Sequence, residues 1–354
     1  MNSTERVLAA FASEPFDRVP YWDNMWGDFE EKWQLAIPDD PKVSIADYYG
    51  NDIFDQLSCQ EYFFFNERKK LAEDADSEIW NNGWGATVKV GKTDSYFSQT
   101  IKRKINSCAE VEHLEFDPVD EEKRYFDVMR KKEIEIQKGR CFFATVGGIY
   151  CRSQFLRGES ELLMDMIMEP EGVHQLFDKV GVFFTGLALQ LLSRLDCWEA
   201  GLFVSDDMAN SAAPMFSPDM FATFLLPSYK RLINTVKKAG CKRVFLHSDG
   251  NIGPLIDLYL EAGFDGFNPL EPRCGQDLVS LRQKYGKRFI CLGGICNTQI
   301  LPRGNLKEIE AHIRPLIELA KDGGIILGTA SIGGDIDPYV YDQYRKMIAK
   351  YGQC

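Results

Sequence analysis

The sequence Lys242-Arg243-Val244-Phe245-Leu246-His247-Ser248-Asp249-Gly250 shows the pattern that governs most of the chain. A short apolar run ends in ionisable residues and a glycine, and a stretch with helical spacing follows. Five further segments have the same order: 142–148, 202–207, 264–271, 289–296 and 325–331. Continuous apolar strands that alternate with long helical stretches are typical of a parallel sheet buried on both faces.

Two weaker strand candidates precede these segments, at residues 16–22 and 48–54, after a predicted helix at 2–13. The strand count comes to about eight, the number expected for a closed barrel. We therefore predict an α/β fold, a (β/α)₈ TIM barrel with an N-terminal extension, formed by residues 1–354 as a single domain.

Residues 60–108 have a different character. Alternating segments at 86–90 and 95–100 follow the turn-rich stretch 80–85, which indicates antiparallel strands. We predict that this segment is a small antiparallel β insertion lying over the mouth of the barrel.

The charge of the chain excludes some classes of partner. Lys and Arg total 41 against 53 Asp and Glu, so the formal net charge is −12. An acidic protein of this kind is not expected to bind nucleic acid or anionic membranes without specific sites. The ten cysteines have no short repeated spacing, and no signal peptide precedes the first helix, which favours a soluble protein of the reducing cytoplasm.

Barrels of this type carry their chemistry at the carboxyl ends of the strands. His247 lies at such an end, whereas His113, His174 and His312 lie in charged or helical stretches and are expected at the surface or in packing. His247 is a candidate metal ligand, general acid or hydrogen-bond donor. Asp249 follows closely and could orient the imidazole or share a metal with it, although Asp249-Gly250 is also a common turn.

Several other residues are candidates by the same positional argument. Of Asp206 and Asp207, alternation allows one side chain to face the mouth. Cys296 is interpreted as a small apolar residue at a strand end, with a nucleophile or soft ligand as the alternative. The remaining strand-end candidates are Asp23, Trp26, Asp52 and Glu271. The sequence has no Gly-x-Gly-x-x-Gly after its first strand, no Walker loop and no Cys-x-x-Cys, so nucleotide cofactors and structural zinc lack support.

Longer motifs resemble a known family. They are Asp206-Asp207-Met208 followed by Pro214 and Ser217-Pro218, then residues 247–252, 263–271 and 293–295, together with Arg157-Gly158-Glu159 and residues 16–20. In this order they resemble the uroporphyrinogen decarboxylase superfamily, which also contains corrinoid-dependent methyltransferases. The resemblance covers nearly the whole chain and implies a (β/α)₈ barrel.

The departures from that family separate its activities. Decarboxylases of the family hold substrate carboxylates with two arginines after the first strand, and here those positions are Met25 and Phe29. Asp52 matches the position of the family's essential aspartate. Thiol-activating methyltransferases bind zinc through His-x-Cys and a later cysteine, which here are His247-Ser248-Asp249 and Ala330. An oxygen-rich site suits activation of an ether or an alcohol better than that of a thiol.

The resemblance therefore implies a methyltransferase that moves a methyl group between a small O- or N-methylated substrate and a separate corrinoid protein. Expected catalytic residues are His247, Asp207, Asp249 and Asp52, with His247 and Asp249 as ligands of a metal such as zinc. Expected substrate-binding residues are Asp23, Trp26, Trp84, Phe267 and Glu271. The chain lacks the Asp-x-His-x-x-Gly corrinoid signature, so cobalamin would arrive on the partner. The alternatives are a uroporphyrinogen decarboxylase-like decarboxylase and a non-catalytic ligand-binding barrel, and a homodimer is expected.

Overall fold

The structure is a computed structural model that describes residues 1–38, 40, 42–54, 57–92 and 98–354. Its strands are β1 Ile53–Phe54, β2 Lys69–Glu73, β3 Ser77–Asn81, β4 Ala86–Gly91, β5 Ser98–Arg103, β6 Cys141–Phe142, β7 Ala144–Gly147, β8 Leu202–Ser205, β9 Val244–His247, β10 Gly266–Asn268, β11 Ile290–Gly294 and β12 Ile325–Gly328.

The helices alternate with these strands from residue 126 onward. They are α1 Ser3–Ala12, α2 Gly27–Ala36, α3 Ile45–Tyr49, α4 Phe126–Lys138, α5 Ile149–Arg157, α6 Glu159–Met168, α7 Pro170–Leu195, α8 Pro218–Met220, α9 Leu226–Lys238, α10 Ile256–Ala262, α11 Leu278–Tyr285, α12 Leu306–Lys321 and α13 Pro338–Tyr351.

The central sheet is parallel, as the repeated segments predict. Its six strands run in the order β12-β11-β10-β9-β8-β7, and β1 pairs with β6 in parallel beside them. Gly147 is the register partner of Ser205, Ser205 that of His247, and His247 that of Asn268. The carboxyl ends of four neighbouring strands are therefore level with one another and form one face of the barrel, which we call the mouth.

The first strand of the barrel is shorter than the sequence predicts. Residues 16–22 form no continuous strand, because Pro20 has no N–H to donate to a ladder. Two hydrogen bonds still join this segment to β12, from Trp22 N–H to Leu327 O at 2.9 Å and from Leu327 N–H to Pro20 O at 3.1 Å. On the other side Asp52 N–H donates to Tyr21 O at 2.9 Å. The predicted second strand at 48–54 is reduced to β1, because α3 takes its first residues.

Alternation along the strands separates two apolar layers. Phe143, Phe203 and Phe245 point into the barrel, where Phe203 stacks on Phe143. Phe143 and Phe245 contact Phe11 of α1, so α1 covers the end opposite the mouth. Residues of the other phase, such as Val204 and Leu246, belong to the layer between the sheet and the helices. Both phases are buried, which explains why the strands read as continuous apolar runs.

The predicted insertion is present as an antiparallel sheet of four strands in the order β2-β3-β4-β5. Residues 93–97, which include the start of the strand predicted at 95–100, lie outside the described residues, and β5 begins at Ser98. Trp84, in the turn between β3 and β4, packs against Phe155 of α5 with ring centroids 5.3 Å apart. Since α5 follows β7 directly, this contact holds the insertion on the mouth side of the barrel.

The longest helix, α7, is long and apolar enough by length and composition to cross a membrane. Half of its residues are nevertheless buried inside the protein, and it packs against α5, α6 and α9. These contacts are those of a core helix in a soluble fold.

Candidate functional site

Three ionisable side chains meet at the centre of the mouth. His247 is the last residue of β9, and Asp207 and Asp249 lie two residues beyond the ends of β8 and β9. One potential ligand atom from each lies within 4.8 Å of the others. The Nε2 atom of His247 is 3.8 Å from Oδ1 of Asp207 and 3.9 Å from Oδ1 of Asp249. We call these three residues the acidic triad.

The imidazole of His247 is held in one orientation by Asn268. Nδ2 of Asn268 donates to Leu292 O at 2.9 Å, so its Oδ1 atom faces Nδ1 of His247 at 2.6 Å. An amide oxygen can only accept, so Nδ1 carries the hydrogen. The lone pair of a neutral His247 is therefore on Nε2, which is directed at the two carboxylates. Metal-binding histidines are commonly fixed in this way.

The loop after β9 is attached to the loops on both sides of it. Asp249 N–H donates to Oδ1 of Asp207 at 2.9 Å, and Gly250 N–H donates to Oε2 of Glu271 at 2.7 Å. Gly250 has a φ of 83° and lies against the carbonyl of Asn210, which leaves no room for a side chain. Asp249 is thus positioned by backbone geometry rather than by its own side chain.

Asp206 and Asp207 point in opposite directions. Asp206 is fully buried on the helix side, where its carboxylate accepts hydrogen bonds from Tyr229 OH and from the N–H groups of Tyr150 and Cys151. Burial raises the pKa of Asp206, and these donors oppose the shift. Asp206 anchors the first turn of α5, and Asp207 faces the mouth.

The carboxylates of the acidic triad are half exposed and are not paired with a lysine or arginine in the part of the chain that the structure describes. The Asp207 and Asp249 side chains are 52% and 54% exposed, and among the described residues neither forms an ion pair with lysine or arginine. Partial burial raises the pKa of Asp249, and the charges of Asp207 and Glu271 add to the shift, whereas His247 and Arg273 lower it. Two close carboxylates and an imidazole nitrogen are a suitable donor set for a divalent cation.

Asp52 is not part of this group, and its predicted place at the mouth is wrong. It precedes β1 and is fully buried at the amino-terminal end of the strands, beside α1. Its Oδ1 atom is 2.7 Å from Nη1 of Arg6, and its Oδ2 atom is 2.7 Å from Nη1 of Arg18. Tyr21 N–H also donates to Oδ2, at 2.9 Å. Asp52 therefore joins the N-terminal extension to the barrel.

Asp23 and Phe267 are likewise turned away from the mouth. Asp23 is 4% exposed and accepts hydrogen bonds from the N–H and hydroxyl of Thr329, both at 2.7 Å, and from Tyr341 of α13 at 3.1 Å. Burial raises its pKa to about 6. Phe267 is fully buried between the sheet and the helices, packed on Tyr259 and Phe289. The position beside it, Asn268, faces His247 instead.

The other residues predicted to contact substrate, and Cys296, lie in different parts of the structure. Glu271 is 6% exposed and supports the triad through Gly250. Trp26 is 53% exposed, and its backbone N–H donates to the carbonyl of Ile332, which follows β12. Trp84 stacks on the guanidinium of Arg152, whose centre lies 5.0 Å from the ring centroid. Cys296 is buried and its N–H donates to His312, as a structural residue would.

The comparisons with known proteins agree with the barrel fold. Residues 82–338 match the family model for uroporphyrinogen decarboxylase (URO-D), which is more than half of the chain. The chain belongs to the uroporphyrinogen decarboxylase family. This URO-D family assignment makes it an enzyme of the wider superfamily that also contains methyltransferases. No curated protein matches the chain.

Among solved structures, the chain is similar to a methyltransferase from Methanosarcina mazei, with 16% identity over 99% of each chain and a TM-score of 0.69. At this identity the likeness shows that the two share the URO-D barrel fold. A sugar phosphate isomerase/epimerase from Parabacteroides distasonis has 13% identity, covers 62% of this chain and 73% of its own, and has a TM-score of 0.31.

Proposed function

We propose that this protein is a methyltransferase that moves a methyl group between a small O- or N-methylated substrate and a separate corrinoid protein. The observation that carries the proposal is the acidic triad, in which Nε2 of His247 is turned toward two carboxylates that form no ion pair with a lysine or arginine among the described residues. The URO-D family membership and the fold shared with a methyltransferase also support methyl transfer as the reaction.

The triad fits a resident divalent metal. His247, Asp207 and Asp249 would hold it, as one nitrogen and two oxygen ligands, with room for a further ligand on the exposed side. Catalytic zinc sites use three such protein ligands and keep a position open for substrate. A zinc ion there would act as a Lewis acid on the oxygen or nitrogen that carries the methyl group.

The residues of the chain have distinct roles in this proposal. Asn268 keeps the hydrogen on Nδ1 of His247, which leaves Nε2 as the donor atom. Asp207 and Asp249 supply the negative charge that compensates a divalent cation, and the Asp249 N–H keeps the Asp207 carboxylate in place. Phe203 lies below the imidazole, with ring centroids 6.2 Å apart, and gives the site an apolar floor.

Decarboxylation of a polycarboxylate receives less support from the mouth. Arg152 and Arg273 contact mouth carboxylates, but each already forms an ion pair, with Glu61 at 2.9 Å and with Glu271 at 3.1 Å. A substrate with many carboxylates needs several cations whose positive charge is not already neutralised by the protein. The half-exposed Asp207 and Asp249 would repel it.

The proposal includes the partner and the compartment. Cobalamin would be carried by the corrinoid protein and presented at the mouth. All ten cysteines are free thiols, which favours the reducing cytoplasm as the site of the reaction. A homodimer stays a prediction.

A methyl-transfer assay tests the proposal. The purified protein, reconstituted with zinc, would be incubated anaerobically with a panel of methyl ethers and methylamines, and the absorbance of added reduced cobalamin would report methyl acceptance. We expect transfer from at least one compound with the native protein and a loss of at least about 100-fold in His247→Ala. His113→Ala, which changes a histidine that is 79% exposed, is the matched control.

Two results would count against the proposal. Equal transfer by the native protein and His247→Ala would remove the triad from the reaction. Release of carbon dioxide from a carboxylate substrate, without methyl transfer from any compound, would assign the protein to decarboxylation instead.

A further inference from the structure

Arg152 occupies a place in the mouth that its sequence position does not suggest. Gly147 ends β7 and is level with Ser205 and His247 on the next two strands. A β-carbon added at Gly147 would collide with Nε and Cζ of Arg152. The guanidinium of Arg152 therefore fills the space where an inward side chain of β7 would lie, in the same ring of positions as His247.

Several groups hold this guanidinium in a fixed plane. Its Nη2 and Nε atoms donate to Oε2 of Glu61 at 2.9 and 3.3 Å, and Gly147 N–H donates to Oε1 of Glu61 at 2.7 Å. The rings of Trp84 and Phe155 lie 5.0 and 5.1 Å from its centre. Glu61 is buried, and burial raises its pKa while Arg152 opposes the shift.

One edge of the guanidinium remains free. The Arg152 side chain is 20% exposed, and its Nη1 atom donates no hydrogen bond to any residue that the structure describes. A planar guanidinium with a fixed orientation and a free edge is well suited to bind a carboxylate. Because the side chain is already ordered, little rotamer entropy is lost on binding.

We propose that Arg152 binds a carboxylate of the methylated substrate, and that the substrate is therefore a small methyl ether or methylamine with an acid group at its other end. This inference rests on the proposed function. The guanidinium of Arg152 fills the inward position of Gly147 on β7, and β8 separates β7 from the strand of His247. At the usual strand spacing of about 4.8 Å, the two positions lie about 10 Å apart. A rigid molecule such as a methoxybenzoate spans that gap, with its ring beside Trp84.

The charge balance of the Arg152–Glu61 pair favours a substrate with a single carboxylate. Glu61 already neutralises Arg152, so the site adds hydrogen-bond donors without a large positive field. An anion with several charges would gain less from such a site and would be repelled by Asp207.

The test is a calorimetric titration of the zinc-loaded protein. The probes are 3-methoxybenzoate, 4-methoxybenzoate and N,N-dimethylglycine, each compared with its neutral amide. We expect at least one acid to bind roughly 10- to 100-fold more tightly than its amide, the range given by a hydrogen bond to a charged group. The double variant Glu61→Gln/Arg152→Gln should lose this preference and bind the amide as before.

The double variant avoids leaving Glu61 buried without its partner, and a thermal unfolding curve would check its folding. Arg68→Gln is the matched control, because Arg68 also stacks on two rings of the insertion, Tyr62 and Trp80. Equal binding of every acid and amide by the native protein, or an acid preference retained in the double variant, would overturn the proposal. Acid binding without methyl transfer would instead overturn the proposed function, and transfer from neutral substrates alone would overturn this inference and leave the function standing.

Discussion

The two ends of the barrel treat their carboxylates in opposite ways. At the amino-terminal end, Asp52 is fully buried and has two arginines and a backbone N–H as partners. At the mouth, Asp207 and Asp249 are half exposed, and no described lysine or arginine is paired with either. A carboxylate compensated by the chain itself serves the fold, whereas two adjacent carboxylates without compensation are suited to a cation from outside.

The largest effect on stability should come from the compensated end. Asp52→Asn removes the negative charge with which Arg6 and Arg18 both pair. The largely buried guanidinium of Arg6 then loses part of its charge compensation. We expect a loss of about 3 kcal/mol in the free energy of unfolding, measured by urea denaturation, with zinc stoichiometry unchanged. A loss of zinc without a loss of stability would show that Asp52 belongs to the site.

Asp23 offers a test of burial without an arginine in direct contact. Its pKa is raised to about 6, compared with about 3.9 in an unfolded chain. The folded protein therefore binds an extra proton between these values, so this group stabilises the fold below pH 4 and loses that contribution as the pH rises through 6.

Asp23→Asn should remove this dependence, since the amide oxygen can still accept from Thr329. The free energy of unfolding of the variant minus that of the native protein should increase by about 2–3 kcal/mol from pH 4 to pH 7, because only the native protein loses stability over this range. Urea titrations at pH 4, 5.5 and 7 measure the difference. A constant difference across this range would mean that Asp23 stays charged in the fold.

At the mouth, we expect Asn268 to affect the affinity of the acidic triad for zinc. Asn268→Ala should weaken zinc binding about 10- to 100-fold, because Nδ1 of His247 loses its acceptor and the ring is free to turn. Asn268→Asp keeps an acceptor at this position and should retain most of the affinity. Competition with a chromogenic chelator measures both, and equal affinity in Asn268→Ala and the native protein would separate Asn268 from the metal.

The smallest effect is expected for Asp207→Asn in zinc-free protein. It removes one of two neighbouring negative charges, so the metal-free fold should change by less than about 1 kcal/mol or gain stability. A loss as large as that predicted for Asp52→Asn would mean that the two ends of the barrel do not differ in the way described.

The sequence predicts the regular part of the barrel well because apolar runs and helical periods alternate clearly after residue 141. It fails before residue 60, where Pro20 interrupts the ladder and β1 has two residues. A strand of that length does not show at which end Asp52 lies. Phe267 was misplaced for a related reason, because inward and outward positions of a doubly buried strand are both apolar.

The site was predicted in part for the same physical reasons. His247, Asp207 and Asp249 come from strand ends, and the carboxyl ends of parallel strands meet at one face. Asn268 lies within the family-like motif at 263–271, one position after Phe267, but its contact with His247 depends on the register of β9 and β10. No sequence pattern predicts the pairing of Glu61 with Arg152. One is a loop residue and the other a helix residue, and they come together because Gly147 has no side chain and leaves space for the guanidinium.

Zinc binding by the acidic triad is measured by comparing three proteins. Native protein, His247→Ala and the control His113→Ala would be stripped with chelator, titrated with zinc and analysed by elemental analysis after desalting. We expect close to one zinc per chain in the native protein and the control, and a loss of affinity of at least about 100-fold in His247→Ala. Equal zinc content in all three, or none in the native protein, would contradict the assignment of the acidic triad as a metal site.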